Sequence, residues 1–435
     1  MRVYFITFGC KVNIYETENM KENFRLHGYI VSEDEKNCDI YIVNSCTVTS
    51  YSDKKIRQTL HRIRRNNPYS IIVLTGCYPQ AFNDEASLIT EADIITGTKE
   101  RNKLPDIISE YIDKKSRIIS IPEYSCKDTF ENTSNEGYAD KTRAFLKIQD
   151  GCNMFCSYCI IPYSRGRFRS KSLESIISET TTLAKKGYKE IVIVGINLSF
   201  YGIEFELRLI DAIEAVCKIE GIERVRLGSL EPEVISDEDI KRMSEQTKLC
   251  PQFHLSIQSG CDRTLKAMNR KYTSEQYHIL VEKLRNSFQD CSITTDIMVG
   301  FPDETEQDFN ESLEFIKKIK FSKAHIFPYS RRSGTPAAEM DNQVPESVKT
   351  KRAQIMTEAT TLSQTEFLKS QLGKVFPVLF EREKISTEYI GYTPNYTKVK
   401  ILTENFEKSL RNKIFYVRID KLVDDYCLGN IIINN

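Results

Sequence analysis

The chain has 435 residues, 40% hydrophobic and 28% charged, with 61 Lys plus Arg against 61 Asp plus Glu. This composition fits a globular chain with room for roughly three cores. Zero formal charge excludes a uniformly basic protein, so contact with nucleic acid would need local patches. No run of about 18 apolar residues could span a membrane. The start, Met1 to Cys10, reads as a short strand leading into a polar helix rather than a signal peptide, so a cytoplasmic protein is expected. The 13 cysteines are odd in number, which favours reduced, metal-binding thiols over a disulfide framework.

Residues 1–115 alternate strands (Val3–Thr7, Asp39–Val43, Ile71–Leu74 and a weaker Asp93–Ile95) with amphipathic stretches at Tyr15–His27 and Asp53–Asn66. The pattern predicts a parallel sheet. Each of the first three strands runs into a cysteine: Phe8-Gly9-Cys10, Asn44-Ser45-Cys46 and Thr75-Gly76-Cys77. Ligands of open α/β sheets gather beyond the carboxyl ends of the strands. Three thiols on one edge therefore predict a second cluster site, the alternative being scattered structural thiols. The basic helix Asp53–Arg65 has apolar residues at 56, 60 and 63 for one buried face, with its charges in solvent or against phosphate. Cys38, Cys126, Cys217, Cys250, Cys261, Cys291 and Cys427 have no partner at ligand spacing.

Residues 116–142 form a linker, polar and broken by Pro and Gly from Pro122 onward. Beyond it, residues 143–365 repeat strand and helix six times, which predicts a partial or full (β/α) barrel. The strands are Ala144–Ile148, Glu190–Val194, Arg224–Leu227, Phe253–Ile257, Ser292–Ile297 and Lys323–Phe327. Just past the first strand, Cys152, Cys156 and Cys159 are spaced C-x3-C-x2-C on a loop after Gly151. Three local thiolates can hold three corners of a 4Fe-4S cluster and leave the fourth iron open. An open iron is what a cluster reacting with S-adenosylmethionine requires; a zinc site or inert buried cysteines are the alternatives. Gly195, Asn197, Ser229, Glu231, Gln258 and Asp296 fall at strand ends on the same rim and are candidate cofactor contacts. His254, inside a strand, reads as a packed core histidine. Arg165, Arg167 and Arg169 interleave with Phe168, and Arg331 and Arg332 follow the sixth strand; all five are candidate RNA contacts. After a long helix over Ser347–Leu372, the span 366–435 carries five short β-rich runs that predict a small barrel.

These residues resemble the methylthiotransferase family of radical S-adenosylmethionine enzymes over nearly the whole chain. The resemblance rests on Phe8-Gly-Cys-Lys-Val-Asn13, Asn44-Ser-Cys46, Gly76-Cys77, Gly151-Cys-Asn-Met-Phe-Cys-Ser-Tyr-Cys159 and Arg165-Gly-Arg-Phe-Arg-Ser170. It extends to Leu227-Gly-Ser-Leu-Glu-Pro232, His254–Gly260, Thr295–Pro302 and Phe327–Ser330, and to an ending similar to the TRAM barrel. Gly228 and Asp303 depart from the family pattern, where serine and glycine are more usual.

The resemblance implies two 4Fe-4S clusters, one on Cys152, Cys156 and Cys159 with S-adenosylmethionine, the other on Cys10, Cys46 and Cys77 carrying a sulfur atom. It implies that one S-adenosylmethionine methylates that sulfur and that a radical from a second opens carbon 2 of an adenine for methylthio transfer. The implied partners are tRNA at adenosine 37 of the anticodon loop, an electron donor such as flavodoxin or ferredoxin, and a sulfur donor. Gly9–Asn13 and Gly391–Tyr396 are most similar to the branch acting on N6-threonylcarbamoyladenosine. The isopentenyladenosine and ribosomal protein S12 branches are the alternatives within the family, and a zinc-binding RNA adaptor is the alternative without catalysis.

Overall fold

The structure, a computed structural model, describes residues 1–133, 137, 142–381, 388–402 and 409–432. Part of the expected linker, residues 134–136 and 138–141, lies outside the described residues, as does Ile433, the end of the last β-rich run expected over Gly429–Ile433.

The first unit runs β1 (Arg2–Thr7), α1 (Lys11–Leu26), β2 (Ile30–Val31), β3 (Ile40–Ser45), α2 (Ser50–Asn66), β4 (Ile71–Gly76), α3 (Cys77–Ala81), α4 (Asn83–Ser87), β5 (Ile94–Thr96), α5 (Leu104–Lys114) and β6 (Ile118–Ser120). Its six strands lie in the order β2-β1-β3-β4-β5-β6, all parallel. Strands β3 and β4 are buried along their whole length, as the Ile/Val-rich runs of a two-faced parallel sheet require. The apolar face of α2 behaves as its spacing predicts, with Ile56, Leu60 and Ile63 buried.

The central unit comprises β7 (Arg143–Lys147), β8 (Gln149–Asp150), α6 (Ile161–Arg165), β9 (Arg169–Ser170), α7 (Leu173–Lys185), β10 (Glu190–Val194), α8 (Leu209–Cys217), β11 (Arg224–Leu227), β12 (Ser229–Leu230), α9 (Asp237–Ser244), β13 (Gln252–Leu255), α10 (Asp262–Ala267), α11 (Ser274–Ser287), β14 (Ser292–Val299), α12 (Glu306–Ile319) and β15 (Lys323–Pro328). Its main strands form two parallel sheets, β11-β10-β7 and β12-β13-β14-β15. A single bridge between Val225 and Leu249 continues the curve from one toward the other. The result is an open (β/α) barrel. Alternation puts Phe253, Leu255 and Ile257 under the helices and Gln252, His254 and Ser256 on the other face.

After α13 (Glu346–Lys369), strands β16 (Val375–Phe380), β17 (Glu388–Tyr392), β18 (Lys398–Leu402), β19 (Ile414–Val423) and β20 (Tyr426–Ile431) close into a barrel in the order β16-β17-β18-β20-β19. Closure removes the unpaired strand edges that a sheet this small would otherwise expose. This barrel docks under the amino ends of the central strands. There Arg224 donates to the carbonyls of Tyr392 (2.9 Å) and Pro377, and Arg226 donates to that of Pro394 (2.8 Å). Among the described residues no helix is long and apolar enough to cross a membrane.

Replacing the Arg224 guanidinium removes a donor from the part-buried carbonyls of Tyr392 and Pro377. Arg224→Ala should lower stability to urea by about 1–3 kcal/mol and should raise amide hydrogen exchange first in the C-terminal barrel.

Candidate active site

Strand register builds the first thiol group. Thr7 pairs with Asn44 and Asn44 with Thr75, so β1, β3 and β4 end side by side and release Cys10, Cys46 and Cys77 from one edge. Gly9 makes their approach feasible. Its φ of +100° suits glycine, and a Cβ there would lie 2.4 Å from Cys46 Cβ and 2.7 Å from its Sγ. Asn13 ties the edge together by donating to the carbonyls of Phe8 (2.8 Å) and Ser45 (3.0 Å). Burial, then the neighbouring Cys77, pushes the Cys46 thiol up to about 12, and Cys10 adds to it.

Cys152, Cys156 and Cys159 share one loop. Gly151 (φ +73°) packs where a Cβ would strike the Arg167 carbonyl oxygen at 1.9 Å, which closes the loop on itself. Burial raises all three thiols, and the charges of the other two raise Cys159 further. Three crowded thiolates need a positive centre to be stable together, which a bound metal cluster provides. Among the described residues no three or more His, Cys, Asp or Glu are gathered for a single metal ion. The thiolate donors, and the close backbone approach that Gly9 and Gly151 permit, would suit an iron–sulfur cluster in both groups.

Arg165, expected to contact RNA, lies between the two thiol groups and is fully buried. It donates to Glu16 (2.7 and 2.9 Å), to Asp150 (3.2 Å) and to the side-chain oxygen of Asn13 (2.7 Å). Lys147 pairs with the same two carboxylates at 2.7 Å each, and Arg101 with Glu16 at 3.0 Å. Burial alone would raise Glu16, but Arg101, Arg165 and Lys147 outweigh it and hold the carboxyl well below its usual range. Two further corrections follow the same physics. Arg169 is buried against the carbonyls of Arg165 and Arg167, and Arg332 against Asp53 (2.6 Å) and Thr47. Their donors are committed inside the protein. Arg167 and Arg331 are exposed.

The rim candidates divide in the same way. Gly195 packs on Leu198 and Gln149. Asn197 Nδ2 points at Cys152 Sγ (3.7 Å), and its Oδ1 is buried without a partner among the described residues. Glu231 is paired with Arg270, a buried residue that also donates to Cys156 Sγ (3.4 Å). Gln258 adopts φ +68° and bridges to β14 through its backbone, donating to the carbonyl of Asp296 and accepting from the amide of Met298. Asp296 accepts from His254 (3.2 Å) and Ser256 (3.2 Å). Burial would raise its pKa, but these bonds and the neighbouring His254 and His325 lower it. His254 is therefore no core histidine: with Ser229 it lines a cavity of ≈ 500 Å³ bounded by Lys11, by the inner faces of β11 to β15 and by Tyr392 and Tyr396 of the small barrel. All three units meet there. Arg270 escaped the sequence reading because it follows α10 rather than a strand. The alternation of Gln252, His254 and Ser256 did signal a polar inner face.

Comparison with known proteins adds the lineage. A family model described as "Radical SAM superfamily" matches residues 146–316, and one described as "Uncharacterized protein family UPF0004" matches residues 2–97. The protein named threonylcarbamoyladenosine tRNA methylthiotransferase MtaB from Bacillus subtilis is 39% identical over 405 residues, covering 91% of this chain and 89% of that one. Its namesake from Thermotoga maritima is 40% identical, covering 90% and 89%. A tRNA-2-methylthio-N(6)-dimethylallyladenosine synthase from Carboxydothermus hydrogenoformans is 35% identical, covering 96% of each chain. Among solved structures, the radical S-adenosylmethionine methyltransferase TsrM from Kitasatospora setae has a similar fold, with TM-score 0.58 at 13% identity over 78% of this chain and 77% of that one. Fold and site thus define a radical S-adenosylmethionine enzyme that uses an iron–sulfur centre. The chain belongs to the methylthiotransferase family of that superfamily.

Because Arg165 joins residues of two units without solvent, Arg165→Met should cost about 3–5 kcal/mol in chemical denaturation. It should also destabilise the protein far more than Arg167→Met, which removes an exposed side chain.

Proposed function

We propose that the enzyme converts N6-threonylcarbamoyladenosine at position 37 of tRNA to its 2-methylthio derivative. The observation that carries this reading is the shared cavity. It touches Lys11, next to Cys10, on one side and His254, tied to Asp296 of the cofactor rim, on the other. A cavity bordered by all three units suits a base that has to be reached from both the first and the central unit. The branch assignment draws on the MtaB relatives, 38–40% identical, beside the dimethylallyladenosine synthases at 32–38%.

In this reading Cys152, Cys156 and Cys159 would hold one 4Fe-4S cluster and Cys10, Cys46 and Cys77 another. Bound there with S-adenosylmethionine, these groups would supply radical hydrogen abstraction and the sulfur that an inert adenine C–H needs. The chain's own work is to bind, orient and exclude water. Arg270 donates to Cys156 and restrains Glu231, and Asn197 covers Cys152. Tyr392 and Tyr396 are stacked on each other at 4.7 Å at the cavity's edge, with Arg143 and Arg226 over their rings, and give the cavity an aromatic border. A base in a single-stranded anticodon loop can be splayed into such a pocket at modest cost. Arg167 and Arg331 are exposed candidates for the RNA backbone. Electrons would come from a small redox protein such as a flavodoxin or ferredoxin, and sulfur from a separate donor. In this reading the reaction would take place in the cytoplasm, where tRNA and such donors are met.

Two measurements test this. Wild-type protein should carry about eight irons and either triple cysteine-to-alanine variant about four; zinc in place of iron would refute the cluster assignment. Reconstituted enzyme with S-adenosylmethionine and a reductant should add a methylthio group to an anticodon stem-loop bearing threonylcarbamoyladenosine and leave a dimethylallyl-bearing one unmodified. The reverse preference would assign the chain to the neighbouring branch.

A further inference from the structure

The cavity between the three units has an unusual electrostatic lining for a site that receives an aromatic base. Lys11, Lys323 and Lys398 all line it, with Asp425 the acidic residue of the lining. Arg226 also lines it but is bound to Glu190 (2.9 Å) and to the carbonyls of Pro394 and Thr393. Lys398 lies over the Tyr426 ring at 5.5 Å. Lys11 and Lys323 differ from both: among the described residues neither ammonium has a carboxylate within ion-pairing distance or a hydrogen bond to another group. Both are exposed, and both open into this concave space.

His325 lines the same cavity, exposed on the inner face of β15, with its ring 6.3 Å from that of His254 and 6.5 Å from that of Phe327. Lys323 and Lys11 are both near enough to lower the pKa of His325, although burial is the larger cause. Its ring can donate a hydrogen bond in the neutral state. Among the described residues, two ammonium groups without an ion-pair partner and an imidazole, held by different units, face one cavity. An apolar substituent would leave them desolvated and unpaired, which is unfavourable. A carboxylate would satisfy them by charge-assisted hydrogen bonds.

We propose that Lys11, Lys323 and His325 form a carboxylate pocket that grips the threonyl carboxylate of the N6 substituent and thereby sets the enzyme's choice of substrate. This deepens the reading of the cavity given above and rests on it. In adenine, the carbon bearing N6 and carbon 2 flank N1, so a grip on the substituent also sets where carbon 2 lies in the ring plane. Lys11 is then a specificity and positioning residue, reaching the substrate from the helix that begins just after Cys10.

The test uses full-length, cluster-reconstituted enzyme and two anticodon stem-loops that differ at one group, the threonyl carboxylate or its neutral methyl ester. Dissociation constants are read by fluorescence anisotropy and kcat/KM by nucleoside mass spectrometry, at matched iron content. Wild type should favour the carboxylate RNA by about 10- to 100-fold, the range of a charge-assisted hydrogen bond. Lys11→Gln should shrink that ratio to about threefold or less, chiefly by weakening the carboxylate RNA, and Lys323→Gln should shrink it in the same direction. An unchanged ratio in both variants, or an equal loss on both RNAs, would overturn the proposal. If Lys11→Gln fails to load iron, the ratio in Lys323→Gln decides. A wild type that modifies only dimethylallyl RNA would instead refute the substrate reading itself, and the carboxylate pocket with it.

Discussion

The guanidinium of Arg165 is the point on which the rest of the arrangement depends. It sits in α6, six residues after Cys159, yet its partners are Asn13 and Glu16 on the helix that starts after Cys10, and Asp150 just before Cys152. Each of those residues has a second duty. Asn13 braces the edge that carries Cys10 and Cys46, and Asp150 accepts from the Gly151 amide at the entrance to the cysteine loop. One buried cation therefore registers two thiol groups that are far apart in sequence. Such a charge is tolerable only because its partners are in place, and removing either side leaves the other uncompensated.

From that contact the geometry of the reaction space follows. With α1 packed across the inner side of β7 and β10, Val12 lies against Val192 and Val194 and closes that side of the open barrel. The remaining space is walled by the polar inner faces of β11 to β15 and closed from below by Tyr392, Asn395 and Tyr396. The small barrel is thus part of the site as well as an appended module. Its docking is anchored through Arg224 and Arg226, whose charges are met by Glu190 and by backbone carbonyls rather than by solvent.

Much of this was legible in the sequence where the code is local. Strands rich in Ile and Val, each running into a cysteine, put three thiols on one edge because parallel strands in register end together. The six-fold alternation after residue 142 likewise implies a barrel rim, where Asn197 lies beside Cys152 and Asp296 beside His254. What was not legible is pairing at a distance. An Arg-Gly-Arg-Phe-Arg run reads the same whether it grips phosphate or is neutralised inside the protein. Nothing near Arg165 or Arg332 shows that Glu16 and Asp53 await them 149 and 279 residues away. That His254 lines the cavity instead of packing in the core is hidden for a related reason: strand position alone does not say whether the inner face is packed or hollow.

The proposed reaction requires this cavity to present a tRNA adenine to both centres. The most direct measurement is mass spectrometry of modified nucleosides in tRNA from cells with and without the gene. Loss of 2-methylthio-threonylcarbamoyladenosine in the deletion, restored by the wild type and not by Cys156→Ala, is the predicted result. An unchanged set of tRNA nucleosides would contradict it and turn attention to a ribosomal-protein substrate.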